Sequence, residues 1–171
     1  EDIAARGLSR AIGVSNFLPV HLDHIVGLGG TVPALNQIEL HPALQQRELV
    51  AANDAHGIAT EAWSPLAQGA MLTNPVIVEL ARAVGRTPAQ VILRWHLQEG
   101  RIIIPKSVTP ARIAENIALF DFELDSAAIE AIGYCSAVRA GPMRGIVRFS
   151  ITGSIAAHSG SKLAITPCAA K

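Results

Sequence analysis

The sequence predicts an α/β fold in which about four strand–helix units follow one another and their strands form a parallel sheet. Three observations support this fold class. Short β-rich runs alternate with helical patterns. The run at residues 102–104 is wholly apolar, which is typical of a strand buried on both faces. Glycine or proline ends most of the elements.

The predicted elements follow this alternation in chain order. Strands are expected at residues 11–14, 34–40, 58–63 and 102–104. Helices are expected at about residues 18–28, 46–55, 76–84, 88–98, 110–116 and 126–132. Thr87-Pro88 supplies an N-cap and a proline at the first helical position, and Asp125 can cap the last helix. A closed (β/α)8 barrel has eight units and about 250 residues, so four units correspond to half a barrel.

Composition excludes several classes of function. Half of the 171 residues are hydrophobic and 16% are charged, which is enough apolar material for a sizeable core. The formal net charge is zero, which argues against a general nucleic-acid or anionic-membrane binder. No apolar run approaches the roughly 18 residues of a membrane span, and the charged start does not fit a signal peptide. Cys135 and Cys168 are expected to be free thiols, so we expect a cytoplasmic location.

The chain changes character near its end. From about residue 143 it is rich in serine, alanine and glycine, with few charges and no clear periodicity. Short apolar runs at residues 146–147 and 151–155 are compatible with strands, but the composition favours an irregular or disordered tail. A frameshifted or non-native end is an alternative. We therefore divide the chain into residues 1–142, a partial barrel, and a tail at residues 143–171.

The segment at residues 104–116 carries the strongest candidate binding site. It places Lys106 at the end of a buried strand and Arg112, six residues later, at the start of a helix. An ammonium and a planar guanidinium suit phosphate, and a guanidinium can also stack on a purine. Glu115 and Asn116 follow at helical spacing and could bind the edge of a base. A phosphate-bearing nucleotide is therefore predicted, with solvated surface charges as the alternative.

No metal site is predicted. His21 and His24 are spaced three residues apart and could touch one metal ion, but no third ligand is evident, which favours a helix surface. The sequence also contains no serine nucleophile elbow and no phosphate-binding glycine loop.

Four motifs occur in a distinctive order and spacing: IGVSNF at residues 12–17, NQIELHP at 36–42, AWSPL at 62–66 and IPKSVTPARIAEN at 104–116. Over about residues 1–142 the chain thereby resembles the C-terminal half of an aldo-keto reductase. This resemblance implies half of a TIM (β/α)8 barrel, about four βα units, that binds NADP(H). The motifs lie at the carboxyl ends of the predicted strands, where such a barrel builds its active site.

The resemblance implies cofactor contacts for eleven residues. The nicotinamide carboxamide is assigned to Ser15, Asn16 and Gln37, and stacking on the nicotinamide ring to Trp63. The pyrophosphate is assigned to Ser64 and Leu66. The 2′-phosphate is assigned to Lys106, Ser107 and Arg112, and adenine to Glu115 and Asn116. Because NAD(H) has no 2′-phosphate, the two cations favour NADP(H). Taken alone, Trp63 would be a core residue and Gln37 an edge polar group.

The resemblance also implies an activity, the NADPH-dependent reduction of aldehydes or ketones to alcohols. In this family a Tyr donates the proton, supported by a Lys, an Asp and a His, in motifs that precede the equivalent of residues 12–17. The sequence contains none of these motifs, and Tyr134 lies outside them. We therefore assign no catalytic residue and expect a fragment of a reductase whose partner is a small carbonyl substrate. An NADP(H)-binding module and a non-functional truncated remnant, both without turnover, are the alternatives. The oligomeric state stays open.

Overall fold

A computed structural model describes residues 1–135, which form one four-stranded parallel sheet with helices packed against it. The strands are β1 (Val14–Ser15), β2 (Leu35–Glu39), β3 (Ala59–Trp63) and β4 (Ile102–Ile103). They lie in the order β1-β2-β3-β4, so each strand pairs with the next one along the chain. The predicted α/β fold with a parallel sheet is confirmed.

The helices connect the strands as the alternation predicts. Their bounds are α1 (Asp2–Ala5), α2 (Pro19–Gly27), α3 (Arg47–Ala55), α4 (Pro75–Val84), α5 (Pro88–Gln98), α6 (Pro110–Ile117) and α7 (Ser126–Gly133). A short 3-10 turn follows β3 at Ala67–Gly69. Neither this turn nor α1 was predicted from the sequence, because both are too short to show a hydrophobic period.

Side-chain caps explain where two of the predicted helices begin. The hydroxyl of Thr87 accepts a hydrogen bond from the backbone N–H of Gln90, whose side chain in turn accepts from the Thr87 N–H. This reciprocal pair is a capping box. Asp125 accepts from the N–H of Ala128 at 2.8 Å. Both predicted start signals are therefore confirmed.

The core lies between one face of the sheet and the helices. In β2 the buried residues Asn36 and Ile38 alternate with half-buried ones, as the two-residue period of a strand requires. The largest apolar side chains that are almost fully buried are Leu22, Ile38, Leu40, Ile58, Ile77, Ile92, Leu93, Trp95 and Ile132. Gln37 therefore projects from the opposite face of the sheet, the face that also carries Glu61 and Trp63.

The prediction for the fourth strand was partly wrong. Residues 102–104 do form a strand and its exit, but Ile102 and Ile104 are each 43% exposed rather than buried. The reason is position, because β4 is the last strand of the sheet within the described residues and only β3 lies beside it. An apolar run predicts what a strand prefers to contact, and not whether the neighbouring element is present.

The remaining expectations concern the C-terminal tail, membrane-spanning helices and metal sites. The predicted tail, with its two short runs and the domain boundary at residue 142, lies outside the described residues. Within residues 1–135 no helix is long and apolar enough to cross a membrane. Over the same residues no group of three or more histidine, cysteine, aspartate or glutamate side chains could hold a metal ion.

Candidate functional site

The candidate site lies at the carboxyl ends of the strands, where the chain leaves the sheet. The eleven residues singled out from the sequence lie at the last residues of β1 and β3, in the middle of β2, in the segments that follow β1, β3 and β4, and in α6. Because the strands are parallel, their carboxyl ends meet at one edge of the sheet. The structure groups the eleven side chains into two neighbouring sets, joined by the consecutive residues Trp63 and Ser64.

The first set, which we call the amide cluster, consists of Ser15, Asn16, Gln37 and Trp63. The indole N–H of Trp63 donates to Oδ1 of Asn16 at 3.2 Å, and Nδ2 of Asn16 donates to the hydroxyl of Ser15 at 3.3 Å. The Ser15 hydroxyl donates to the carbonyl of Gln37 at 3.1 Å. These bonds hold donors and acceptors from three strands beside a half-buried indole ring.

Two residues at the site adopt left-handed backbone conformations that are uncommon outside glycine. Asn16 has φ of 58° and Ser64 has φ of 49°, and each follows directly after its strand. Such conformations cost of order 1 kcal/mol or more and persist where the surroundings enforce them. At both positions they turn the chain abruptly out of the sheet, so the polar side chains stay close to the strand ends.

A buried polar network holds the first turn in place. Asn36, which is fully buried, accepts from the N–H of Phe17 at 3.3 Å and donates to the carbonyl of Phe17 at 3.0 Å. Its amide also donates to Asn53, whose own amide donates to Thr60. The backbone directly after Asn16 is thus clamped to β2. Asn36 was not among the site residues predicted from the sequence, although it directly precedes Gln37.

The second set surrounds a cavity of about 480 Å³, which we call the cation-lined cavity. Its wall is formed by the turn after β3, the exit of β4 and the first two turns of α6. All seven remaining predicted residues line it, namely Ser64, Leu66, Lys106, Ser107, Arg112, Glu115 and Asn116. The turn after β3 and the segment after β4, about 40 residues apart in the sequence, therefore line the same cavity.

The charges of this cavity favour an anion. Lys106 and Arg112 line it, and within residues 1–135 neither forms an ion pair with a carboxylate. The one acidic residue in the lining, Glu115, accepts a hydrogen bond from the hydroxyl of Thr87 at 2.5 Å. The Ser107 hydroxyl accepts from the N–H of Thr109, which shapes the loop before α6. Two cations that form no ion pair within the described residues, against one carboxylate, leave an excess positive charge in the lining.

A buried histidine supports the turn that carries Ser64. His96 is fully buried in α5, and its Nε2 lies 3.3 Å from the carbonyl of Pro65. Burial, together with the nearby guanidinium of Arg101, lowers the pKa of His96 to about 3. His96 is therefore neutral near pH 7, with the Nε2 proton donated to Pro65. From the sequence, His96 was predicted only as a histidine within a helix.

A second cavity within residues 1–135 lies away from these residues. Its volume is about 510 Å³, and it lies between α3, α5 and α7, lined by none of the eleven predicted residues. On its wall Gln45 and Arg47 donate to the carbonyl of Gly133 at 2.9 and 2.8 Å. These bonds cap the last turn of α7, which is a structural role.

The sequence was compared with protein families and with known proteins. The sequence profile of the aldo/keto reductase family matches residues 1–137. The chain is 57% identical over 127 residues to an aldo-keto reductase of Mycolicibacterium smegmatis, covering 74% of this chain and 46% of that protein. It is 52% identical over 126 residues to methylglyoxal reductase DkgA of Escherichia coli K12, covering 72% of this chain and 46% of that enzyme.

Solved structures of aldo-keto reductases are also similar to this chain. An aldo/keto reductase from Brucella melitensis superposes with a TM-score of 0.74 at 46% identity, covering 78% of this chain and 51% of that one. A mutant of Gox0644 in complex with NADPH gives a TM-score of 0.77 at 46% identity, with coverages of 82% and 53%. A Bombyx mori aldo-keto reductase in complex with NADP gives 0.73 at 36% identity, with coverages of 78% and 47%. The chain thus spans about half the length of the proteins it matches.

Proposed function

Because the chain belongs to the aldo/keto reductase family, we propose that it forms the NADP(H)-binding half of an enzyme that reduces aldehydes or ketones to alcohols. The observation that carries this proposal is the cation-lined cavity, which gathers Lys106 and Arg112 beside the turn after β3. Relatives of similar sequence are named as reductases, and two structural neighbours contain NADPH or NADP.

The residues of the cavity fit the phosphate-bearing end of this cofactor. A 2′-phosphate carries up to two negative charges and three acceptor oxygens, which match the ammonium of Lys106 and the guanidinium fork of Arg112. Ser107 would add a hydroxyl donor to the same group. Ser64 and Leu66, on the adjacent wall, would contact the pyrophosphate, while Glu115 and Asn116 would contact adenine.

The amide cluster fits the other end of the cofactor. A carboxamide needs both donors and acceptors, and Ser15, Asn16 and Gln37 offer both. Trp63 presents its ring beside them, so the nicotinamide would stack on the indole while its amide is held from the side. When bound, the nicotinamide supplies a hydride to a carbonyl carbon. The role of this chain is to fix which face of the ring is presented.

We assign no catalytic residue to this chain. The chain spans about half the length of its relatives, so the proton donor and the groups that orient the substrate would lie in the remainder of a longer protein. Several relatives are named methylglyoxal reductases, which makes methylglyoxal a suitable first substrate to test. A cytoplasmic location stays a prediction.

Two measurements on the 171-residue chain test the proposal. In calorimetric titrations we expect saturable NADPH binding and much weaker NADH binding. In an absorbance assay, carbonyl-dependent oxidation of NADPH by methylglyoxal would demonstrate turnover. Binding without turnover would support the alternative of an NADP(H)-binding module. The absence of saturable NADPH binding by a folded chain would overturn the assignment of the cofactor.

A further inference from the structure

One residue of the amide cluster, Gln37, contacts a side chain that is not among the eleven residues assigned from the sequence. Nε2 of Gln37 in β2 donates to Oε1 of Glu61 in β3 at 2.5 Å. The two residues are direct register partners of adjacent parallel strands, so their side chains leave the same face of the sheet side by side. Both are half-buried, which keeps the bond partly shielded from water.

We infer that Glu61 is a positioning residue that fixes the amide orientation of Gln37 and thereby makes the site select a cofactor bearing a carboxamide N–H. This inference rests on the proposed NADP(H) binding. The amide of Gln37 can present either its oxygen or its nitrogen to a ligand, because the two ends are nearly equal in shape. A neighbouring group must therefore decide between them.

A neighbouring carboxylate allows only one orientation of the Gln37 amide. Carboxylate oxygens only accept hydrogen bonds, so Gln37 must direct its NH2 group toward Glu61. Within residues 1–135 the Gln37 Oε1 atom accepts no hydrogen bond. It is left as an acceptor on the face of the sheet that also carries Trp63, where the N–H of a nicotinamide carboxamide would meet it. A ligand with a methyl group in place of that NH2 would leave the acceptor unsatisfied.

A second carboxylate on the same face provides a matched control. Glu39 follows Gln37 by two residues on β2, and its Oε1 lies 3.4 Å from Nε2 of His41. Its side chain is 35% exposed, and it makes no hydrogen bond to Gln37 within the described residues. Replacing Glu39 by glutamine removes the same charge from the same face while the Gln37–Glu61 bond stays intact.

The test compares two oxidised nucleotides, NADP+ and its 3-acetylpyridine analogue, in which a methyl ketone replaces the carboxamide. Calorimetry on the full chain should show NADP+ binding about three- to tenfold more tightly, as one hydrogen bond would give. Glu61→Gln should lower this ratio, because an amide at position 61 can donate as well as accept, so Gln37 can turn its NH2 group to the ligand and donate to the oxygen of a rotated acetyl group. Glu39→Gln should keep the ratio of the parent. In a Gln37→Ala background Glu61→Gln should change the ratio no further.

A measurement on the ligand-free parent covers the case in which Glu61→Gln does not fold. In a 1H–15N spectrum the Gln37 side-chain NH2 should be shifted downfield and exchange slowly, as expected for a bond to a carboxylate. A random-coil position would overturn the inference, as would a Glu61→Gln variant that keeps the parent ratio. If the parent binds both nucleotides equally, NADP(H) binding stands and the role of Glu61 falls. If it binds neither, both proposals fall.

Discussion

The indole N–H of Trp63, at the end of β3, donates to Oδ1 of Asn16, in the turn after β1, at 3.2 Å. These strands are not neighbours, because β2 lies between them. The bond therefore passes over the carboxyl end of β2 and links β1 to β3. It fixes the edge of the indole and thereby the orientation of its face, which is the surface proposed to stack on the nicotinamide.

Trp63 should report NADPH binding by fluorescence. The chain has two tryptophans within the described residues, and Trp95 is 1% exposed whereas Trp63 is half-buried at the site. We expect Trp63→Phe to abolish most of the NADPH-dependent quenching of tryptophan emission. Trp95→Phe should leave that quenching in place. Equal quenching in the Trp63→Phe variant would show that the nucleotide does not stack where we propose.

The two cations should determine the preference for NADPH over NADH. Lys106→Met and Arg112→Met should each weaken NADPH binding by about tenfold or more, since hydrogen bonds to charged groups contribute roughly 1.5–3 kcal/mol. Neither variant should change NADH binding appreciably, because NADH has no 2′-phosphate. Calorimetric dissociation constants for both nucleotides would measure the preference.

Arg82→Met is the matched control for these variants. Arg82 lies on α4, pairs with Glu79, and has a 73% exposed side chain. Its replacement removes one positive charge away from the cavity, so NADPH binding should stay within about twofold of the parent, because surface charges interact weakly in water. Losses equal to those at Lys106 and Arg112 would mean that the preference reflects net charge alone.

His96 should make the fold sensitive to acid. Its pKa falls from 6.5 to about 3 on folding, so below pH 6.5 the unfolded chain binds a proton that the folded chain does not. The stability from this residue is fully present above pH 6.5 and is lost as the pH falls toward 3, on the order of a few kcal/mol. His96→Gln keeps a donor for Pro65 and removes this titration.

Urea unfolding at pH 7 and pH 4.5 would test this prediction. The parent should lose more stability between the two values than the His96→Gln variant does. His24→Gln, at an exposed position on α2, should follow the parent. If all three proteins lose equal stability, other groups account for the acid sensitivity.

Asn36 should be costly to replace. Asn36→Ala leaves the N–H and carbonyl of Phe17 and the amide oxygen of Asn53 without their buried partner. We expect a loss of about 2–4 kcal/mol in the free energy of unfolding, since each buried unsatisfied group costs about 1–3 kcal/mol. Asn74→Ala, which removes a half-buried helix cap, should cost about 1 kcal/mol. Similar urea midpoints for the two variants would contradict a special role for the buried network.

Much of the site could be predicted because its residues lie in local patterns. Polar groups that closely follow a short apolar run, such as Asn16 after β1 or Lys106 after β4, must lie at the carboxyl edge of a parallel sheet. Residues that support the site could not be found in this way. Glu61 is significant only once β3 is placed in register with β2, and His96 only once α5 packs beneath the turn that contains Pro65.

The sequence by itself determined the alternation of strands and helices, the helix caps at Thr87 and Asp125, and the set of residues proposed for the cofactor. These features depend on neighbours within a few positions, so the pattern of residue types is enough to predict them. The tertiary structure decided what depends on distant segments. It brought Lys106, Arg112 and Ser64 to the lining of one cavity and set Gln37 beside Glu61. Strand register and helix packing bring such residues together, and neither can be derived from local periodicity.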